Sequence, residues 1–378
     1  MISRKTFVVF SLLALLSPAR AEEASVKDGH FLYVVVPGIR NYLEFGGAGI
    51  LVFDMDNGHT FVKRIETPAS KQTKPLNIKG VCACARTGKL YFTTLTTLYC
   101  VDLRSEKTLW EKKLPGGSDR VAITADGKKL YVPSLEGPHW NVVDAARGEL
   151  ITQIVSKSGA HNTVCNLDGS RVYLAGLRSP LLRVVDTKTD KIIREVGPFS
   201  APIRPFTVNG AGTRCIVNVN KLLGFEIGDL KTGKVLYRVE VKGFPVKKPK
   251  RHGCPSHGVG LTPDEKEIWV SDGANSQVHV FDATVMPPRQ LASIALREQP
   301  GWITFSLDGK WAYPSTGEVI DTRTKKIIAA LQDEKGREVH SEKMVEVVFK
   351  DGVPVANGDQ FGVGRKVAEG GTRTSTRK

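Results

Sequence analysis

Four polar side chains, Asp119, His161, Arg204 and His257, stand 42, 43 and 53 residues apart, each seven residues ahead of a turn position. An acid, two imidazoles and a guanidinium brought together could grip an anion through charge-assisted hydrogen bonds, shift a proton, or offer ligands to a metal. Three loops hold further residues of this kind: Arg40 in 37-PGIRNYLEFGGAG-49, His139 in 134-SLEGPHW-140, and His252 with Cys254 in 242-KGFPVKKPKRHGCPSHG-258. Each has a plainer use as well. A His that opens a strand can simply bond backbone, Arg204 could pair with Asp119, His139 could cover a blade beside Trp140, and a basic loop can be no more than solvated. No two residues have the close spacing of a metal-ligand pair, which leaves His161 and His257 as metal candidates and neither compelling. No nucleophile stands beside a matched base, and no cofactor can be named.

What must position these residues is a repeated phrase. It runs as a short apolar strand, a D-G turn, a second strand with aromatic and β-branched residues, then V-x-D, another turn and another strand. The clearest copies are RVAITADGKKLYVPS (120–134), HNTVCNLDGSRVYLAG (161–176), HGVGLTPDEKEIWVSDG (257–273) and GWITFSLDGKWAYPSTG (301–317). Aligned on the turn, the copies fall at Thr87, Asp126, Asp168, Ala211, Asp264 and Asp308, separated by 39, 42, 43, 53 and 44 residues. Four-strand units at this period are the signature of a β-propeller, whose blades bury their faces only by stacking. Six complete blades follow from the turns. The seventh is assembled from 31-FLYVVVPG, 50-ILVFDMDNG and 61-FVKRIET at the N-terminus and 344-MVEVVFKDGVPVA at the C-terminus. The expected fold is therefore all-β: a seven-bladed β-propeller with four antiparallel strands per blade, closed by the C-terminal strand joining the N-terminal blade. The Asp of FDMDNG, VDLRSE, VDAARG, VDTKTD, FDATVM and IDTRTK recurs too regularly for catalysis and is expected to cap the turn after the third strand.

The repeats resemble those of the YVTN-type seven-bladed propeller proteins of bacteria and archaea, across nearly the whole chain. The resemblance is specific for fold and implies little about activity. Related architectures include lactonase-like, streptogramin-lyase-like and haem-d1-binding propellers and amine dehydrogenase heavy chains. Seven residues up the innermost strand from each turn, roughly 23 Å away, lies one axial mouth. There the blades carry Gly80, Asp119, His161, Arg204, His257 and Gly301. The expectation is a binding module whose mouth holds an anionic small molecule, a cofactor or an extracytoplasmic protein, with glycines marking its open side. The alternative is an enzyme of lyase, lactonase or cofactor-dependent oxidoreductase type using His161, Arg204 and His257.

Composition narrows the partners. The chain has 54 basic and 39 acidic side chains, a net charge of +15, but the basic residues are spread over blade turns and only 247-KKPKR-251 is compact. Nucleic acid is therefore not expected as a partner, and a monomer is. Arg4 and Lys5, the apolar run 7–16 and the Ala19-Arg20-Ala21 site read as a cleavable leader over 1–21. The apolar run is too short to span a bilayer and no later one approaches that length. A periplasmic or extracellular location, a propeller over 22–365 and a disordered polar tail over 366–378 are the corresponding expectations. Six cysteines permit up to three disulfides, but Cys82 and Cys84 share one face of a strand and do not pair with each other; several should be buried thiols.

Overall fold

The computed structural model describes residues 27–366; the expected leader and all but the first residue of the expected tail lie outside them. Seven antiparallel sheets stand in a ring, six of four strands and one of five. Blade two shows the pattern: Gly80–Cys84 innermost, then Lys89–Thr93, Thr97–Asp102 and Thr108–Lys113 outermost. The second and third strands are buried on both faces because each packs between two neighbouring sheets, which is why they read as near-continuous apolar runs. The outermost strand meets water and carries Glu111, Lys112 and Lys113. Seven apolar clusters fill the ring, one at each interface between adjacent blades.

The recurrent aspartates do the structural task expected of them. Asp102 Oδ1 accepts the backbone N–H of Ser105 at 2.8 Å, and Asp144, Asp186, Asp229 and Asp321 cap their own turns in the same way. No helix among the described residues is long and apolar enough to cross a membrane. All six cysteines are free thiols, five of them buried.

Closure follows the expected route and then goes further. Met344–Lys350 pairs antiparallel with Gly29–Val36, in register Phe31↔Val347 and Tyr33↔Val345, and so completes blade one. In other blades the D-G turn leads on to the second strand. Here that place is already held by Gly29–Val36, so the chain after Asp351-Gly352 folds back along the free inner edge as a fifth strand, Val353–Asn357. The next residues cross the channel. Gln360 Oε1 accepts from Val81 N at 2.8 Å, Trp302 Nε1 donates to Gln360 O at 2.5 Å, and Leu261 N donates to Gly362 O at 2.8 Å. Phe361 and Val363 are buried against blades four and five. Blade one thus has its four expected strands and an added fifth along the inner edge. Between this crossing segment and blades two to four remains a cavity of about 240 Å³, walled partly by Cys82, Cys84 and Cys165.

Ending the chain after Gly352 should leave a four-stranded blade one and a closed ring, but at a cost. Losing Phe361 and Val363 alone forfeits about 3–6 kcal/mol of apolar burial. Thermal unfolding should show a clearly lower Tm, and Trp302 emission should shift to the red. An unchanged Tm and emission would show that the crossing segment does not hold the channel.

Candidate functional site

At the end of the ring opposite the D-G turns, the innermost strands loosen from their ladders. The pairing of Ala160–Cys165 slips between Ala160 and Asn162, leaving His161 in a bulge, and that of Ile203–Val208 slips between Ile203 and Phe206, around Arg204. A bulge re-aims its side chain, and here both are turned to the channel. Blade three shortens its inner strand to Ala122–Ile123, so Asp119 and Arg120 precede it as irregular chain. These residues, the loop after Val36 and the long insertion before blade six enclose a cavity of about 230 Å³.

One buried hydrogen-bonded chain forms its floor. His161 Nδ1 lies 2.6 Å from Asp119 Oδ2, and His161 Nε2 lies 2.8 Å from Arg120 Nη1. A guanidinium can only donate, so Nε2 accepts, Nδ1–H donates to Asp119, and the ring is held in one neutral tautomer. Burial lowers the imidazole pKa to about 4, against the opposing pull of Asp119. Burial alone would raise Asp119; His161, Lys79 and Arg120 outweigh it and hold the carboxyl well below its usual range. Arg120 Nη2 continues to Glu342 Oε2 at 2.9 Å, and Lys343 Nζ meets the same oxygen at 2.8 Å. Lys343 also donates to Gly38 O at 2.8 Å, and burial lowers its pKa to about 8 despite Glu342. The Arg120 guanidinium sits 4.7 Å above the Trp302 ring. Blades one, three, four and seven are thus tied together across the mouth.

The insertion supplies the other wall. His252 and His257 stack with ring centroids 4.5 Å apart, and Nδ1 of His252 is 3.7 Å from Glu342 Oε1. Burial pushes the pKa of His252 down and that of His257 well down. Arg251 pairs with Glu298 at 2.5 Å and lies over the rings of Tyr42 and Phe45, while its carbonyl accepts from Arg40 Nη2 at 2.9 Å. His340 stacks on Phe45 and holds Glu298 at 2.8 Å. Arg204 Nε donates to Asn220 Oδ1 at 2.6 Å and its guanidinium has no carboxylate partner among the described residues.

Of the residues singled out from sequence, Arg40, His161, Arg204, His252 and His257 line one cavity, with Asp119 directly behind His161. His139 does not join them: its Nε2 faces Pro115 O at 3.0 Å, outside the cavity. Cys254 is buried, its thiol donating to Ser256 O at 2.9 Å and pushed up to about 12. The reading of the glycines needs correction. The space a Gly301 side chain would fill is taken by the His252 ring, whose nearest atom would lie 2.2 Å from an added Cβ, and Gly80 abuts the backbone of Arg120. As a metal candidate His161 is displaced, because both its nitrogens are engaged. Four charged cavity residues were not singled out from sequence, Lys79, Arg120, Glu342 and Lys343, and Arg251 was read only as part of the basic cluster 247-KKPKR-251. Glu342 and Lys343 had a signal, since they precede blade one's inner strand as Asp119 precedes blade three's.

No family model matches the chain, and no curated protein matches it. Among solved structures it is similar to hydrazine synthase of Kuenenia stuttgartiensis, with a TM-score of 0.45 and 14% identity over 69% of this chain and 97% of that one. The propeller assignment rests on the seven sheets themselves.

His59, bonded to Tyr313 Oη at 2.9 Å, also has its pKa lowered by burial to about 4. Both His59 and His161 stay neutral in the fold down to about pH 4, whereas the unfolded chain protonates them near 6.5. Between those values the unfolded state holds more protons, so stability is full above pH 6.5 and falls as pH drops toward 4. Thermal unfolding from pH 7.5 to 4.5 should show Tm decreasing chiefly below pH 6.5, by on the order of 2 kcal/mol of stability or more. His161→Asn, which can still donate to Asp119, should flatten part of that fall. A Tm independent of pH across this window would contradict the buried neutral imidazoles.

Proposed function

We propose that the protein is an extracytoplasmic binding module that takes a small anionic ligand, a carboxylate or a phosphate, in the mouth cavity beside Arg204, Arg120 and Lys79. The observation that carries this is the charge lining it. Six cationic side chains (Arg40, Lys79, Arg120, Arg204, Arg251, Lys343) face two carboxylates, Glu136 and Glu342. Counting Asp119 and Glu298 behind the wall as well still leaves two positive charges uncompensated, with the histidines neutral. A concave, partly desolvated pocket with convergent guanidinium donors fits a small oxyanion better than a flat protein surface. Arg120 Nε is buried without a partner and Arg204 lacks a carboxylate, so donors are available there. The resemblance to YVTN-type repeats and the leader read at 1–21 support the extracytoplasmic part of the proposal. An enzymatic use of His161 as general base has less support, because Arg120 already occupies its lone pair.

Calorimetric titration with inorganic phosphate and with citrate at low ionic strength tests this directly. Binding of at least one of them should weaken by about ten- to a hundredfold in Arg204→Gln, the range expected for one charged hydrogen-bonding partner. Lys79→Gln should weaken it too, with circular dichroism and Tm close to those of the unaltered protein. Equal affinity in all three proteins, or no binding to any, would refute an anion site at the mouth.

A further inference from the structure

The two stacked histidines of the insertion and Glu342 meet in the wall of the mouth cavity, and their donor atoms all lie within 4.8 Å of one another. We infer that His252, His257 and Glu342 form a binding site for one divalent transition-metal ion, of the class that two imidazoles and a carboxylate select. Glu342 is prepared for one bond. Arg120 and Lys343 both hold Oε2, leaving Oε1 turned to His252. His257 Nδ1 donates to Gly301 O at 3.1 Å, which fixes the tautomer and leaves the Nε2 lone pair free. A backbone carbonyl behind one ring nitrogen is the usual support of a metal-binding imidazole. Neither ring nitrogen of His252 has a hydrogen-bond partner among the described residues: Nε2 is buried and Nδ1 faces Glu342 Oε1, so a ring lone pair is free for an ion.

The spacing fits. Bonds of about 2.0–2.1 Å in tetrahedral array set donor atoms roughly 3.3 Å apart, and His252 Nδ1 already stands 3.7 Å from Glu342 Oε1. The two rings are stacked with their planes 21° apart, so one must turn out of the stack to bring both in-plane lone pairs onto one ion. Gly301 makes room for it, since an added Cβ would lie 2.3 Å from His252 Nε2 and 2.8 Å from Glu342 Oε1. Three protein ligands leave at least one coordination position open, and all three residues line the cavity. The anion would be the natural occupant of that position, a clause that rests on the preceding proposal; the metal site itself does not.

Chelator-treated full-length protein titrated with Zn²⁺ and with Co²⁺ tests this inference. One equivalent should bind, with intense visible Co²⁺ bands typical of four-coordination. His252→Ala should lower affinity at least about thirtyfold and remove those bands. Gly301→Ala, which alters no ligand, should lower affinity at least about tenfold by displacing His252. Failure of the unaltered protein to bind either ion, or binding unchanged in both variants, would overturn the site. Arg204→Gln should leave Zn²⁺ affinity within about threefold, and a larger loss would contradict these ligands. Phosphate titrated into the metal-free protein separates the two proposals: metal bound without phosphate refutes only the anion reading, and phosphate without metal only this one.

Discussion

Seven sheets stand in a ring only while Met344–Lys350 stays paired with Gly29–Val36, because the N-terminal strand of blade one has no other inner neighbour. That contact also builds the mouth. Pairing from Met344 onward brings Glu342 and Lys343 to the channel rim, where Glu342 receives Arg120 from blade three and faces His252 from the insertion. Beyond Lys350 it sends the chain down the free inner edge and across the channel, where Gln360 and Gly362 bond to blades two, seven and six. Opening the ring would therefore undo the fold, the plug and the cavity together, a coupling typical of closed repeat architectures.

The mouth is an expensive way to close a channel. Asp119, Arg120, Glu342 and Lys343 are all buried, and removing such groups from water costs several kcal/mol per ion before pairing offsets it. Apolar side chains close the other end at lower cost, with Phe361 and Val363 in contact with blades four and five. A buried ionic network is weak evidence for stability, and breaches of the usual burial rules concentrate where a protein binds or reacts. Single carboxylates such as Glu226, Asp272 and Glu346 are buried elsewhere, but the buried Arg and Lys side chains among the described residues, Arg120 and Lys343, both lie here, and the cations outnumber the carboxylates in the cavity.

The fold was legible in sequence because its signals are local. D-G turns, second strands of alternating β-branched and aromatic residues, and one Asp after each third strand fixed the blade count and the closure. The fifth strand escaped because 353-VPVAN-357 has the same pattern as any second strand; only the prior occupation of that place by Gly29–Val36 turns it inward. Counting back from the turns reached Asp119, His161, Arg204 and His257 even though the ladder is bulged at two of them. It could not reveal Arg120 or Lys79, whose roles depend on which way irregular chain points. Nor could it show that the place of a Gly301 side chain is filled by His252, 49 residues earlier in the chain. Glu342 lies 90 and 85 residues beyond His252 and His257, and pairing of the strand that follows it with blade one sets it at the rim beside them.

The claim that the mouth is an anion site is tested most directly by locating an anion in it. Crystals grown without sulfate or phosphate and soaked in selenate, whose selenium scatters anomalously, would show where a tetrahedral oxyanion settles. An ordered selenium peak is predicted in the cavity, with oxygens in hydrogen-bond reach of Arg204 and Arg120 and absent from crystals of Arg204→Gln. Peaks confined to the outer strands and blade turns, with the cavity holding only water, would contradict it.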